Sequence, residues 1–218
     1  MGPEVRSCCY FGLIVVKRIS ILFVFLVAFS SPATSHEVAY SQEAWPEKID
    51  CSQCAVMELL DLQLSIPFHM LKRLKMLNMD GIAFSLEADN QWLKTEEELI
   101  VLLLSESDVT GGLSENGYYE KLRVSSLDNF FKVLHQKGPV TEELQIARKV
   151  MGLEGSLDFV AYYGDALSAF WVISDDRKNQ SLYIVPVGKN YSLQISGYLT
   201  HAIVDALLSY VEIMENED

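Results

Sequence analysis

The cleanest alternation in the chain lies at 191–196, where Tyr191, Leu193 and Ile195 interleave with Ser192, Gln194 and Ser196. A period of two marks a strand that buries one face. Upstream, "DFVAYY" (158–163) and "LSAFWVIS" (167–174) are apolar runs flanking Gly164-Asp165, a hairpin signal. After the polar "DDRKN", "SLYIVPV" (181–187) reads as a further strand. Pro186 lacks an N–H, so it belongs at an edge or at a strand end. Consecutive strands of this kind predict an antiparallel meander. A closing helix follows from Gly197, with Leu199, Ile203, Ala206, Leu207 and Tyr210 on one side.

The period changes before the meander. Leu127, Phe130, Phe131 and Leu134 fall at i, i+3, i+4 and i+7 behind Ser125 and Ser126, with Gly138 as the stop. Thr141 opens a second helix, "EELQIARKVM", which Gly152 ends. Earlier still, Ala55, Val56, Leu59 and Leu60 share a helical face. Pro67 suits the first turn of another helix, striped by Phe68, Leu71, Leu74 and Leu77. Ile82, Phe84 and Leu86 alternate as a strand, "EADNQ" is a turn, and Trp92-Leu93 starts the return. "LIVLLL" (99–104) follows the capping-box pair Thr95 and Glu98 but is read as a strand, because a long polar loop, 105–117, comes next. The expected fold is α+β: an antiparallel β-meander with helices packed on one face, an N-terminal helical pair and a C-terminal helix.

The first 35 residues stand apart. Lys17 and Arg18 precede the eleven-residue apolar run 19–29, and Ala33 and Ser35 occupy the −3 and −1 positions of a cut before His36. This order is that of a secretory signal peptide. The expected organisation is a signal peptide over 1–35, a polar tether over 36–50 and a single domain over 51–218, with a possible sub-boundary near 105–117. The alternative is an uncleaved N-terminal membrane anchor, although eleven residues fall short of the about 20 that span a bilayer. Export to a periplasmic or extracellular space follows, with the membrane touched through the leader alone if it stays.

Charge narrows the partners. The net charge of −13 becomes −15 once Arg6, Lys17, Arg18 and Glu4 leave with the leader. A field of that sign opposes nucleic acid, whose phosphates need clustered Lys and Arg. It favours neutral or cationic partners. Lys72, Arg73 and Lys75 form the one basic cluster, expected on the solvated face of a helix.

The mature chain keeps two cysteines, Cys51 and Cys54. In an oxidising compartment they are expected to form a disulfide. Their spacing also admits thiol–disulfide exchange, as in a thioredoxin-like enzyme, since a helix N-terminus stabilises a thiolate. Asp50 beside Cys51 opposes that, as do the polar lead-in "SQEAWPEKID" and the lack of an identifiable proline loop in Pro139 or Pro186. No second CxxC or HxxxH completes a metal site, Ala55 stands where a haem motif needs His, and no cofactor is expected. His201 and Asp205, four apart, share a helix face but lack a nucleophile motif; the chain leans away from an enzyme. His69 and His135 read as ordinary helix residues. The sequons at Asn179 and Asn190 matter in a eukaryotic secretory route.

Aromatic residues crowd the meander. If helices cover one face, Tyr162, Tyr163, Trp171 and Tyr183 are the candidate binding residues for a protein partner. The competing arrangement is a core on both faces, since "FVAYY" and "AFWVI" are apolar throughout. The functional expectation is an exported interaction or accessory module, with an exported oxidoreductase using Cys51 and Cys54 as the alternative.

Overall fold

The computed structural model describes residues 38–68, 70–77, 81–86, 98–176 and 179–214, with backbone alone for 72–77, 81–86 and Glu98. The leader, His36, His69 and Trp92-Leu93 lie outside the described residues. Among those described, eleven strands and five helices form a mixed α+β fold. No described helix is long and apolar enough to cross a membrane.

The main sheet has eight strands in the order β1-β7-β8-β9-β10-β6-β5-β4. The predicted meander is β7 (Ser156–Tyr163), β8 (Leu167–Ser174), β9 (Gln180–Pro186) and β10 (Tyr191–Gly197), antiparallel throughout. Pro186 does end its strand. β10 returns onto β6 (Glu98–Ser105), which continues into β5 (Gly81–Leu86) and β4 (Leu71–Leu77). "LIVLLL" is therefore a strand, as its polar sequel suggested.

Both faces of the meander are covered, because both parities are apolar. Phe159, Ala161, Phe170 and Val172 point to one core, and Val160, Tyr162, Ala169 and Trp171 to the other. The first core is closed by α1 (Glu106–Thr110), α2 (Tyr118–Leu122), α3 (Leu127–His135) and α4 (Glu142–Val150). Phe131 of α3 stacks on Phe170 at 4.7 Å. Ser126 and Thr141 cap α3 and α4 by accepting from Asn129 N–H and Leu144 N–H. Residues 105–117, expected as a polar loop, instead carry α1, capped by Ser105, and bury Val109 and Leu113. Polar residues there serve caps and turns rather than a linker.

The second face departs from expectation. The last helix, α5 (His201–Ser209, capped by Thr200), packs here, opposite α1–α4, so the helices do not share one face. Beside it lies a three-stranded sheet, β11-β3-β2, built from β2 (Cys54–Leu59), β3 (Leu62–Pro67) and β11 (Val211–Ile213). The predicted N-terminal helical pair is thus a β-hairpin followed by β4. Leu62, Leu64 and Ile66 alternate with Gln63 and Ser65, and this period of two beat the helical stripe: the three apolar residues reach the core and the two polar ones face away.

The expected tether is also structured. β1 (Ala39–Ala44) adds to β7 in parallel, the one parallel pairing among the described strands. Tyr40 packs against Phe159 and His135, and His135 Nε2 lies 2.7 Å from the Ser41 carbonyl oxygen. Trp45 then folds over Gly164, where a Cβ would stand 3.2 Å from the indole. Polarity misled here because an edge strand exposes half of its side chains.

Candidate functional site

Cys51 and Cys54 are brought together, with Cα atoms 5.8 Å apart, within the range a disulfide needs. The local structure is not the expected helix N-terminus. Cys54 is the first residue of β2 and stands opposite Pro67 of β3. Without a helix start there is no dipole to stabilise a Cys51 thiolate, so the main physical support for redox chemistry is gone. The pair instead marks the open end of the β2–β3 hairpin, where Phe68 N–H donates to the Gln53 carbonyl at 2.9 Å.

The segment leading into β2 lies across the outer face of the small sheet. Ile49 N–H donates to the Ser209 carbonyl at 3.1 Å, and Lys48 pairs with Glu212 of β11. Gln63 donates to the same carboxylate at 2.8 Å. Between segment and sheet runs an open cleft of about 330 Å³, lined by Asp50, Cys51, Gln63, Ser65, Tyr210 and Glu212 among others. The cleft mixes polar and apolar surface and places no base or nucleophile pair around a common point.

β2 is an edge of the small sheet. Leu59 and Leu62 flank the two-residue turn Leu60-Asp61, so they form a hydrogen-bonded pair, and the ladder alternates from there. Met57 and Ala55 bond to β3, while the N–H and C=O groups of Val56 and Glu58 point outward. The partner strand shows the same parity: Ser65, opposite Val56, donates its N–H to Tyr210 of the β11 side at 3.0 Å. Val56 is 53% exposed, and Glu58 is also exposed. Leu60 at the tip is 65% exposed and holds φ of 58°, a left-handed conformation that costs a non-glycine residue about 1 kcal/mol. Phe68 at the other end is 60% exposed.

The aromatic candidates are placed otherwise than as a binding face. Tyr162 and Trp171 are 1% and 2% exposed, inside the α5-side core, and Trp171 Nε1–H donates to Gln180 Oε1 at 3.0 Å. Neither can meet an external partner in this fold, because α5 covers them. Tyr163 and Tyr183 are half-buried against the other core; Tyr183 lies beside Phe131, and its hydroxyl accepts from Gln194.

One polar cluster was partly foreseen. His201 packs edge-on against Trp171 at 4.8 Å, and Asp205 follows one turn later. Glu43 of β1 is in register with Tyr162 beneath them. Burial raises the Asp205 carboxyl above the ordinary carboxylate range, Glu43 adds to this, and His201 opposes it. Burial, then Asp205 and Glu43, push the Tyr162 phenol up. Its hydroxyl has no hydrogen-bond partner among the described residues. Two exposed acids and a histidine, with no nucleophile between them, form an electrostatic feature of the β1–α5 seam rather than a reaction centre. No group of three or more acidic, His or Cys side chains suited to a metal occurs among the described residues. Glu43 was missed because its segment was read as a tether. Val56 and Glu58 were missed because β2 was read as a helix. Comparison with family models, with curated proteins and with solved structures finds no match to this chain.

Proposed function

We propose that this chain is an exported interaction module that engages a protein partner through the β2–β3 hairpin, with a Cys51–Cys54 disulfide bracing its open end. The observation that carries the proposal is the distribution of exposed apolar side chains. The two most exposed large ones among the described residues, Leu60 and Phe68, stand at opposite ends of this hairpin, with Val56 on the edge between them. Solvent-exposed apolar side chains beside an open strand edge are costly unless a partner uses them. Leu60 adds to the case, since it occupies a left-handed position that Gly or Asn would fill without strain. Export rests on the charged, apolar, small-residue order of the leader.

The test is site-specific photo-crosslinking. A photoreactive residue at position 56, in cells, should yield a discrete adduct that one at the equally exposed Val140 does not. Equal labelling from both positions, or none from position 56, refutes the proposal.

A second reading, thiol–disulfide exchange, keeps one supporting observation: Cys51 lines the open cleft, where a second thiol could approach. It requires the reduced Cys51 to be alkylated much faster than a free peptide thiol at pH 7. An ordinary rate removes it.

A further inference from the structure

Resting on the interaction reading above, we propose that the β2 edge takes up an extended, cationic segment of its partner as an added strand, with a basic residue opposite Glu58 and an apolar one opposite Val56. The backbone supplies the first half of the argument. Val56 and Glu58 direct their N–H and C=O groups away from β3, which is the geometry that strand addition needs. On the core-facing side of β2, Ala55 and Leu59 remain half-exposed around buried Met57, so the edge leaves apolar surface for one more strand to cover. The residue between the basic and apolar positions of the incoming segment would turn to that side and be apolar.

Charge supplies the second half and selects the occupant. Glu58, Gln63 and Glu212 form one row across the outer face of the small sheet. Asp50 lies over the same face, so three carboxylates stand against one ammonium, Lys48, which Glu212 already holds. Glu58 makes no ion pair among the described residues. An incoming Lys or Arg opposite Glu58 makes a cross-strand pair, whereas an acid there is repelled. The whole chain, at −13, steers the same choice at longer range. Two β2 edges paired with each other would bring like-charged rows together, which disfavours a second copy in that arrangement.

The experiment titrates the purified full chain with capped octavaline peptides in which every fourth residue is replaced by Lys, or by Glu, so that a charged residue opposite Glu58 leaves Val opposite Val56, and follows binding by calorimetry. The Lys peptide should bind and the Glu peptide should not. Glu58→Lys should weaken the Lys peptide about five- to tenfold and admit the Glu peptide. Val56→Pro removes one outward N–H without touching the β2–β3 ladder and should cost about tenfold; an unchanged melting temperature shows that its fold is intact. Equal affinity for both peptides, or Lys-peptide binding indifferent to both substitutions, overturns the proposal. Concentration-dependent dimers abolished by Val56→Pro also overturn it, by assigning the edge to a second copy. If a crosslink at position 56 succeeds while the Lys peptide fails to bind, the cationic-strand proposal falls and the interaction reading stands; if both fail, both fall.

Discussion

Replacing both Cys51 and Cys54 by Ser separates the bracing role from the redox role. The two residues enclose a loop of four, so the entropy they remove from the unfolded chain is small. The chain-entropy relation gives about 2 kcal/mol at 25 °C for so short a loop, near the bottom of the disulfide range. The local consequence is larger than the global one. The lead-in is otherwise tied down by the Ile49–Ser209 hydrogen bond and the exposed Lys48–Glu212 pair, and surface ion pairs contribute little. Urea unfolding should therefore show a loss of about 2 kcal/mol with an unchanged slope. Hydrogen exchange should show faster opening at residues 49–58 and no change in the meander, whose strands pair independently of this segment. Reduction of the native protein should reproduce both effects. A stability loss below about 0.5 kcal/mol, or exchange that rises throughout β7–β10, would refute the account of the pair as a local brace. A serine variant that keeps its fold but loses an exchange activity measured in the native protein would move the pair from bracing to chemistry.

Three further outcomes follow from single side chains. Tyr162→Phe deletes a buried hydroxyl that has no partner among the described residues, so urea unfolding should show neutrality or a gain of up to about 1 kcal/mol; a loss of more than about 1 kcal/mol would mean the hydroxyl is satisfied. Asp205 binds its proton more tightly folded than unfolded, so its contribution favours folding at low pH and is lost as pH rises through the raised value. Asp205→Asn should raise stability at pH 7 and flatten the fall that sets in as pH rises above the ordinary carboxylate range; a steeper fall would show that the sign is wrong. Leu60→Gly relieves the left-handed strain and should raise the melting temperature slightly while lowering the crosslinking yield at position 56; a lower melting temperature would show that Leu60 packs in the folded chain.

The sequence disclosed the meander well because its strands carry long apolar runs, flanked by turn residues and crossed by two cores. The caps at Ser126 and Thr141 were legible for a similar reason: a hydroxyl that accepts from the third residue on is a local interaction. What failed was non-local. β1 has no apolar pattern of its own and exists as a strand because β7 offers it an edge. In 54–67 the apolar residues satisfy a helical stripe and an alternating strand at once, and pairing with β11, more than 140 residues away, decides between them. That pairing also reversed the meaning of Cys51 and Cys54. The same spacing that suggests a thiolate at a helix start becomes, at a strand start, a close pair at the open end of a hairpin. Tyr162 and Trp171 do not form a binding face because α5 lies over them, on the side of the sheet opposite the other helices; there, density of aromatic residues signals packing.

Four strands stand at sheet edges among the described residues, β1, β4, β2 and β11; β11 has three residues, and the other three are long enough to template a further strand. An exposed edge invites unwanted pairing, and each carries a different deterrent. β1 exposes Gln42 and Glu43, so its outer side is polar. β4 has Lys72, Arg73 and Lys75 within a seven-residue strand, a density of positive charge that opposes pairing with its own kind. β2 is protected least. It is short, it carries Glu58, and Pro67 limits the strand beside it, yet it leaves Val56 exposed between outward-pointing backbone groups. A deterrent built from one negative charge is selective: it repels acidic and like edges while leaving cationic strands free to pair. Stability alone gives no reason for this difference, since a lysine at position 56 would cover the edge at little cost to a side chain that is already half in solvent. Retaining an apolar residue there is the expected outcome if the edge has to remain available, because β2 combines available backbone, apolar surface and uncompensated charge.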